Sequence, residues 1–299
     1  MIKQQICRIA IRGAKILHMD HVIPDKQYLQ MLYRRVFDKK LHLDNPQTFN
    51  EKLQWLKLYN RNPLYTKLVD KYEVKKYVAE KIGEQYIIPT LGVWEKFDDI
   101  DFDNLPNQFV LKCTHDSGGL VIVKDKSKFD KDNARKKIDK CHKSNYFWQG
   151  REWPYKDVKP RIIAEKYISF GEEGDIPDYK FYGFDGKVTA LMIATERQSG
   201  HTKFDFFDNE FNYLPFRWGH DHATTRPLKP KNFDKMLEIA SVLSKGYPHV
   251  RVDLYNVNGK IYFGELTFTH WSGLCPFEPE EWDYKFGNWI KLPTEQKTI

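Results

Sequence analysis

Apolar side chains between residues 27 and 60 recur at helical spacing, with an interruption at Asn45-Pro46-Gln47-Thr48. Thr48, followed three residues later by Glu51, has the form of a capping box that opens a second run from Lys52 to Tyr59. Leu68, Val69, Tyr72, Val78 and Ile82 predict another helix over 66–82, stopped by Gly83. Pro89 and an acid-rich stretch through Asp98-Asp99-Ile100-Asp101 lead into a different pattern. From Phe109 onward the period shortens, predicting strands over 109–113, 119–124 and 161–168. Two hairpins follow: 179–184 with 187–194 around Asp185-Gly186, and 204–207 with 211–216 around Asp208-Asn209-Glu210. An amphipathic helix over 233–245, closed by Gly246, precedes a last hairpin turning at Asn258-Gly259. Helices followed by a strand-rich body with inserted helices predict an α+β fold with antiparallel sheets.

The last hairpin carries the most chemistry. Asn-Gly suits a tight turn because both residues tolerate positive φ. Pairing across it brings Asp253 towards Glu265, with Arg251 two residues from Asp253 on the same strand face. Two carboxylates and a guanidinium facing one way on a buried hairpin are costly unless a divalent, anionic ligand sits between them. Mg²⁺ with a nucleotide phosphate meets that requirement.

At 299 residues the chain can bury a large core and form two or three subdomains. Its 41% hydrophobic and 15% aromatic content excludes wholesale disorder. No window reaches 18 uninterrupted apolar residues, so no transmembrane span is expected. Lys3, Arg8, Arg12 and Lys15 break up the first 19 residues, unlike the continuous apolar centre of a signal peptide. Cys7, Cys113, Cys141 and Cys275 show no CxxC spacing and indicate neither a zinc site nor a disulfide framework; a reducing cytosol is the expected location. Residues 1–40 hold nine Lys/Arg against three Asp, and 124–143 hold nine against four. Each is read as a solvated face or as a surface for an anionic polymer or lipid at the inner side of a membrane. No helix-turn-helix, zinc-finger or RNP pattern accompanies the charge, so no nucleic-acid partner is expected.

Other candidate residues are scattered. Lys112 ends an apolar strand, and His115-Asp116-Ser117-Gly118-Gly119 follows it; an ammonium and backbone N–H groups can together hold phosphates. The loop is neither a Walker A loop nor a GxGxxG dinucleotide site. Glu165-Lys166-Tyr167-Ile168 ends another apolar strand, and Glu172 follows a glycine turn. Extended backbone there can meet a purine edge, and Glu172 can accept from ribose hydroxyls. Lys180 lies on an alternating strand, and Glu196, Arg197, His270 and Trp271 are substrate candidates by proximity to these motifs. Asp101-Phe102-Asp103 has the DxD form of nucleotide-sugar metal sites but lacks a preceding apolar strand. No nucleophile elbow or HExxH pair is present.

The order of these pieces, from Lys112 and its glycines through Glu165-Lys166-Tyr167-Ile168 to Arg251-x-Asp253…Glu265-x-Thr267, resembles the ATP-grasp superfamily. Asn45-Pro46, Phe49-Asn50-Glu51-Lys52-Leu53-Gln54-Trp55-Leu56-Lys57 and Asp70-Lys71-Tyr72 look like its TupA-like branch, named after a teichuronopeptide biosynthesis protein. The resemblance covers roughly residues 28–289. It implies two α+β subdomains clasping a nucleotide behind an N-terminal helical lead-in, divided at 1–60, 61–108, 109–168 and 169–299. Lys112 and the loop 115–119 would meet the phosphates of ATP, Glu165 the adenine amino group, Tyr167 and Ile168 the ring edge, and Glu172 the ribose. Lys180 would be a further phosphate- or substrate-facing lysine. Asp253, Glu265 and Thr267 would ligate Mg²⁺, and Arg251 would stabilise the transferring phosphoryl group. The superfamily commonly has Asn at the position of Thr267. The implied reaction joins a carboxylate, on a saccharide or an amino acid, to an amine through an acyl phosphate. The product would be an amide on a bacterial cell-surface polysaccharide or its precursor. A phosphotransferase on the same fold, a glycosyltransferase and a glycan-binding module are the rival classes.

Overall fold

The computed structural model describes residues 20–116, 118–168, 177–197 and 200–293. In chain order the main elements are helices α1 (Asp25–Phe37), α2 (Phe49–Tyr59), α3 (Leu64–Val69) and α4 (Glu73–Ile82), then strands β1 (Thr90–Trp94), β2 (Phe109–Cys113) and β3 (Leu120–Val123). Helices α5 (Lys131–His142) and α6 (Phe147–Gly150) precede β4 (Ile162–Lys166), β5 (Asp178–Phe184), β6 (Lys187–Thr195), β7 (Lys203–Phe207) and the short β8 (Arg217–Trp218). Helix α7 (Phe233–Ser244), β9 (Val250–Val257), β10 (Lys260–Thr267), β11 (Phe277–Glu278) and α8 (Glu281–Trp289) complete the chain.

Two antiparallel sheets organise the molecule. The first runs β1-β4-β2-β3 and the second β10-β9-β5-β6-β7. One face of the first sheet, with Phe109, Leu111, Ile162 and Ala164, packs on Ala134 and Ile138 of α5. In the second sheet, Tyr179, Phe181, Leu191, Val252, Leu254 and Leu266 share a core with Phe233, Met236, Ile239 and Leu243 of α7. Its opposite face is divided. Tyr182, Phe184, Met192 and Phe206 are covered by Leu29, Phe49 and Leu53 of the N-terminal helices and by Phe286 of α8. Beyond that cover the same face is polar and opens into a cleft.

Local chemistry explains where the sequence pattern holds and where it fails. The capping box at Thr48 and Glu51 forms: the Glu51 amide donates to Thr48 Oγ1 at 3.2 Å and Glu51 accepts from the Thr48 amide at 3.3 Å. The helix predicted over 66–82 is two helices. The Asp70 carboxylate accepts from the amides of Tyr72 (2.8 Å) and Glu73 (3.2 Å), starting a new helix instead of continuing the old one. Strand β1 lies upstream of the first predicted strand and adds an edge to the first sheet. The return strand predicted over 211–216 does not form beyond a single bridge from Phe207 to Tyr213. There the Asp208 carboxylate accepts from the amides of Glu210 and Asn212, and the ring of Phe211 stacks on Phe207 at 4.2 Å.

The final hairpin turns at Asn258 and Gly259, at φ 54° and 90°, as its sequence requires. From Lys260↔Val257 to Phe263↔Leu254 the pairing is regular; a bulge at Gly264 then sets Glu265 opposite Asp253 and Thr267 opposite Arg251. A Cβ at Gly264 would lie 3.1 Å from the Asp253 carbonyl oxygen and 3.3 Å from the Tyr255 ring. Because the nearer neighbour is backbone, Gly264→Val should destabilise the protein by about 1–3 kcal/mol in chemical denaturation. A variant as stable as wild type would show that the bulge has room.

Candidate active site

The cleft between the two sheets encloses about 710 Å³, within the size range of small-molecule sites. One wall is the exposed face of the first sheet, with Val110, Lys112, Leu120, Ile122 and Glu165; the other carries Asp178, Lys180, Arg251, Asp253, Glu265 and Thr267.

Strand register makes the second wall. Lys180 on β5 is paired with Asp253 on β9, and two-residue periodicity puts Asp178 and Arg251 on the same face. Arg251 forks onto Asp253, from Nε to Oδ1 at 2.6 Å and Nη2 to Oδ2 at 2.7 Å. Nη2 also donates to Glu265 Oε1 at 2.8 Å and to Thr267 Oγ1 at 3.0 Å, while Nη1 donates to His270 Nδ1. The Lys180 ammonium joins Asp178, at 2.5 Å, to Asp253. Arg197 closes the cluster with a 2.9 Å bond to Asp178. Burial alone would raise the Glu265 carboxyl; the charges of Arg251, Lys71 and Lys180 overcome that and hold it at about 2.

On the opposite wall, Glu165 is clamped by two lysines, Lys75 at 2.6 Å and Lys112 at 2.5 Å. The resemblance implies that Glu165 meets the adenine amino group; in the structure both its oxygens already hold ammonium groups. Lys166, Tyr167 and Ile168 line the cleft just beyond it, as does Gly119, whose amide donates to the Asp116 carboxylate at 2.9 Å.

Three candidate residues stand elsewhere. His115 is buried with Nε2 3.2 Å from the Cys141 carbonyl and its ring edge-on to His142, so it does not line the cleft. Gly118 and Glu196 do not line it either. Ser117 and Glu172 lie outside the described residues. Asp101 of the DxD motif binds Asn104 at 2.6 Å in an exposed turn away from the cleft. That removes the geometric support for a nucleotide-sugar metal site.

Sequence reasoning missed Lys71, Lys75, Glu152 and Asp178. Lys71 donates to the Asp116 carbonyl at the glycine loop, and Lys75 to the Ile88 carbonyl at 2.9 Å besides holding Glu165. Asp178 was accessible from the two-residue period counted back from Lys180. Glu152 follows no recognisable motif; it reaches the site because α6 and its loop pack under the 269–273 segment, where Thr269 donates to its carboxylate.

His270 and Trp271 both line the cleft. They begin a turn in which Trp271, Ser272 and Gly273 take left-handed φ values of 50°, 57° and 61°. For the two non-glycine residues this costs about 1–2 kcal/mol each and needs external support. Support comes from α2. Gln54 Nε2 donates to the carbonyls of Ser272 (3.0 Å) and Gly273 (2.7 Å), and Lys57 Nζ to those of Gly150 (2.7 Å) and Ser272 (2.9 Å). Burial brings the Lys57 ammonium down to about 7, against the pull of nearby Glu152.

Asp253, Glu265 and Thr267 offer two carboxylates and a hydroxyl, a hard oxygen set that suits Mg²⁺ when phosphate oxygens complete its shell. Among the described residues no group of three or more His, Cys, Asp or Glu forms an all-protein metal cage. The two carboxylates and the hydroxyl would fill only part of an Mg²⁺ shell, leaving the remainder to phosphate oxygens.

Two antiparallel sheets closing on a cleft, with an acidic hairpin on one side and a strand face carrying Lys112 and Glu165 on the other, have the arrangement of an ATP-grasp fold. The chain belongs to the TupA-like ATPgrasp family, whose model matches residues 51–291. Among solved structures it is similar to D-alanine–D-alanine ligase from Bacillus anthracis complexed with ATP: 19% identity, 67% of this chain and 53% of that one, TM-score 0.38. It is also similar to L-amino acid ligase from Bacillus licheniformis, at 12% identity over 84% and 56% of the two chains, TM-score 0.44. A third is the ATP-grasp ligase PsnB with a variant of its minimal precursor, Mg and ADP: 8% identity, 73% and 57% coverage, TM-score 0.37. The chain thus spans little more than half the length of these enzymes. No curated protein matches it. No helix among the described residues is long and apolar enough to cross a membrane.

The held-down Glu265 carboxyl carries a stability signature. A depressed carboxylate stabilises the fold above its ordinary value and loses that contribution as pH falls through its folded value. In metal-free buffer, wild type should therefore melt above Glu265→Gln at neutral pH, with the gap closing between pH 4.5 and about 2. A gap that is constant over this window in calorimetry would contradict the network.

Proposed function

We propose that the protein is an ATP-dependent carboxylate–amine ligase that works through an acyl phosphate. The observation that carries the reading is the convergence of Arg251, Asp253, Glu265, Thr267 and Lys180 on one sheet face, across a cleft from Lys112 and Lys75. A carboxylate oxygen of the acceptor attacks the γ-phosphorus of ATP, the bond to the bridging oxygen breaks and ADP leaves. An amine then attacks the acyl carbon and expels phosphate. Lys112, with the glycine loop ending at Gly119, holds phosphate oxygens; Tyr167 and Ile168 border the base. Asp253, Glu265 and Thr267 would hold Mg²⁺, which supplies charge neutralisation on the phosphates. Arg251 and Lys180 are already fixed where negative charge accumulates, so little reorganisation accompanies the transfer.

The acceptor side of the cleft, with Arg197, His270 and Trp271, takes the carboxylate substrate in this reading, a saccharide acid or an amino acid. The product is an amide on a bacterial cell-surface polysaccharide or its precursor. The basic segments 1–40 and 124–143 suit an anionic polymer or an anionic membrane surface, consistent with a cytoplasmic protein working at the inner face of a membrane.

ADP release from MgATP should require both a carboxylate and an amine, screened across uronic acids and amino acids. Hydroxylamine in place of the amine should yield a hydroxamate. ATP consumption with a phosphorylated product and no hydroxamate would instead establish a phosphotransferase, and absence of ATP binding in calorimetry would remove the enzyme reading. Arg251→Lys keeps the charge but loses the fork that spans Asp253 and Glu265; kcat should fall roughly 10²-fold. A change of only a few-fold would place Arg251 outside the reaction.

A further inference from the structure

His270 has a feature that substrate binding alone does not require. It is 4% exposed, and its Nδ1 faces Nη1 of Arg251. A guanidinium has N–H donors and no acceptor, so the imidazole nitrogen in that contact must be the acceptor. The ring proton of the neutral imidazole is therefore on Nε2. That atom is buried and makes no hydrogen bond; the ring stands nearly perpendicular to Trp218 at 4.5 Å and to Tyr182 at 5.5 Å. Burial, together with the positive charges of Arg251 and Lys180, keeps the ring neutral. The Arg251 guanidinium has its Nε and Nη2 committed to Asp253, Glu265 and Thr267; His270 takes the remaining Nη1 edge.

We propose that His270 is a positioning residue whose Nδ1 lone pair fixes the rotation and tilt of the Arg251 guanidinium within the cleft. The inference rests on the ligase reading of the cleft. His270 can serve this role because its own backbone is set by the left-handed turn Trp271–Gly273, which Gln54 and Lys57 hold from α2. The N-terminal helices thereby reach the reactive guanidinium through two links, the carbonyls of Ser272 and Gly273 and then the imidazole. Removal of the acceptor leaves Arg251 charged and paired to Asp253, Glu265 and Thr267 but unsupported on its Nη1 edge, so its tilt is less closely set while ground-state binding remains.

The test compares His270→Phe, which has no acceptor, with His270→Asn, whose side-chain carbonyl can stand near the position of Nδ1. His270→Phe should lower kcat for ADP release roughly 10- to 100-fold with the KM for ATP within about twofold, and His270→Asn should recover most of the loss. Nitrogen-15 spectra of histidine-labelled wild type should show the His270 signal as the Nε2–H tautomer, independently of any activity. An Nδ1–H tautomer would overturn the proposal, as would an active wild type whose His270→Phe variant keeps full kcat. Equal losses in both variants would reduce His270 to a packing role and would also overturn it. A wild-type protein that neither binds nor turns over ATP sinks the ligase reading first, and this role with it.

Discussion

A single inserted residue decides what the cleft contains. With its two-residue turn, the hairpin of β9 and β10 would in regular register pair Asp253 with Gly264 and Val252 with Glu265. The bulge at Gly264 shifts the last residues by one, so Glu265 meets Asp253 and Leu266 meets Val252. Both faces of the sheet depend on this shift. Without it, Leu266 (1% exposed) would leave the α7 core for the cleft, and Glu265 and Thr267 would turn into an apolar layer. The fold and the site are therefore selected by the same local event, and the core enforces the geometry that the chemistry uses.

The polarity of the cleft follows from that register. On the hairpin side, Asp178, Asp253 and Glu265 meet Lys180, Arg251 and Arg197, three carboxylates against three cations. On the opposite side, Lys75 and Lys112 surround the single carboxylate of Glu165. One wall is charge-balanced and the other carries an excess base. Buried ion clusters are a weak source of stability, because desolvation cancels most of the attraction. Such an arrangement is better explained by a ligand than by stability, one with anionic oxygens for the surplus ammonium of the basic wall.

How much of this the sequence exposes depends on whether the determining interaction is local. The Thr48–Glu51 box, the Asp185-Gly186 and Asn258-Gly259 turns and the strand 109–113 are local, and each appears where its residues predict. Arg251 and Asp253 share a face by the two-residue period, and the Asn258-Gly259 turn places their strand beside Glu265; the bulge that brings Glu265 and Thr267 to that face has only Gly264 as its local sign. His115 was misread because adjacency in sequence to a glycine loop does not say which way a side chain turns; contact with Cys141 and His142 on α5 decided it. Strand β1 went unseen because its Thr90-Leu91-Gly92-Val93-Trp94 segment alternates poorly, and β4 supplies the pairing that its own pattern lacks. Glu152, Lys57 and Gln54 carry no local signal, since their partners, the Thr269 hydroxyl for the first and backbone carbonyls for the other two, lie more than ninety residues away in the chain.

Those distant contacts change what the N-terminal helices are for. A helical lead-in that only covered an apolar sheet face would need a stripe of leucines and aromatics, and α2 has one in Phe49, Leu53 and Leu56. It would not need Gln54 and Lys57, both almost fully buried, with their polar ends spent on backbone carbonyls of a strained turn. Burying an ammonium is expensive enough that the fold brings its value down to about 7, and three left-handed residues in succession are unfavourable without support. The two costs meet at the same carbonyls and offset one another: the turn supplies the acceptors the lysine needs, and the lysine and glutamine supply the donors that hold the turn. Helix α2 is in this way a structural member of the cleft, joined to the 270–273 turn through its carbonyls.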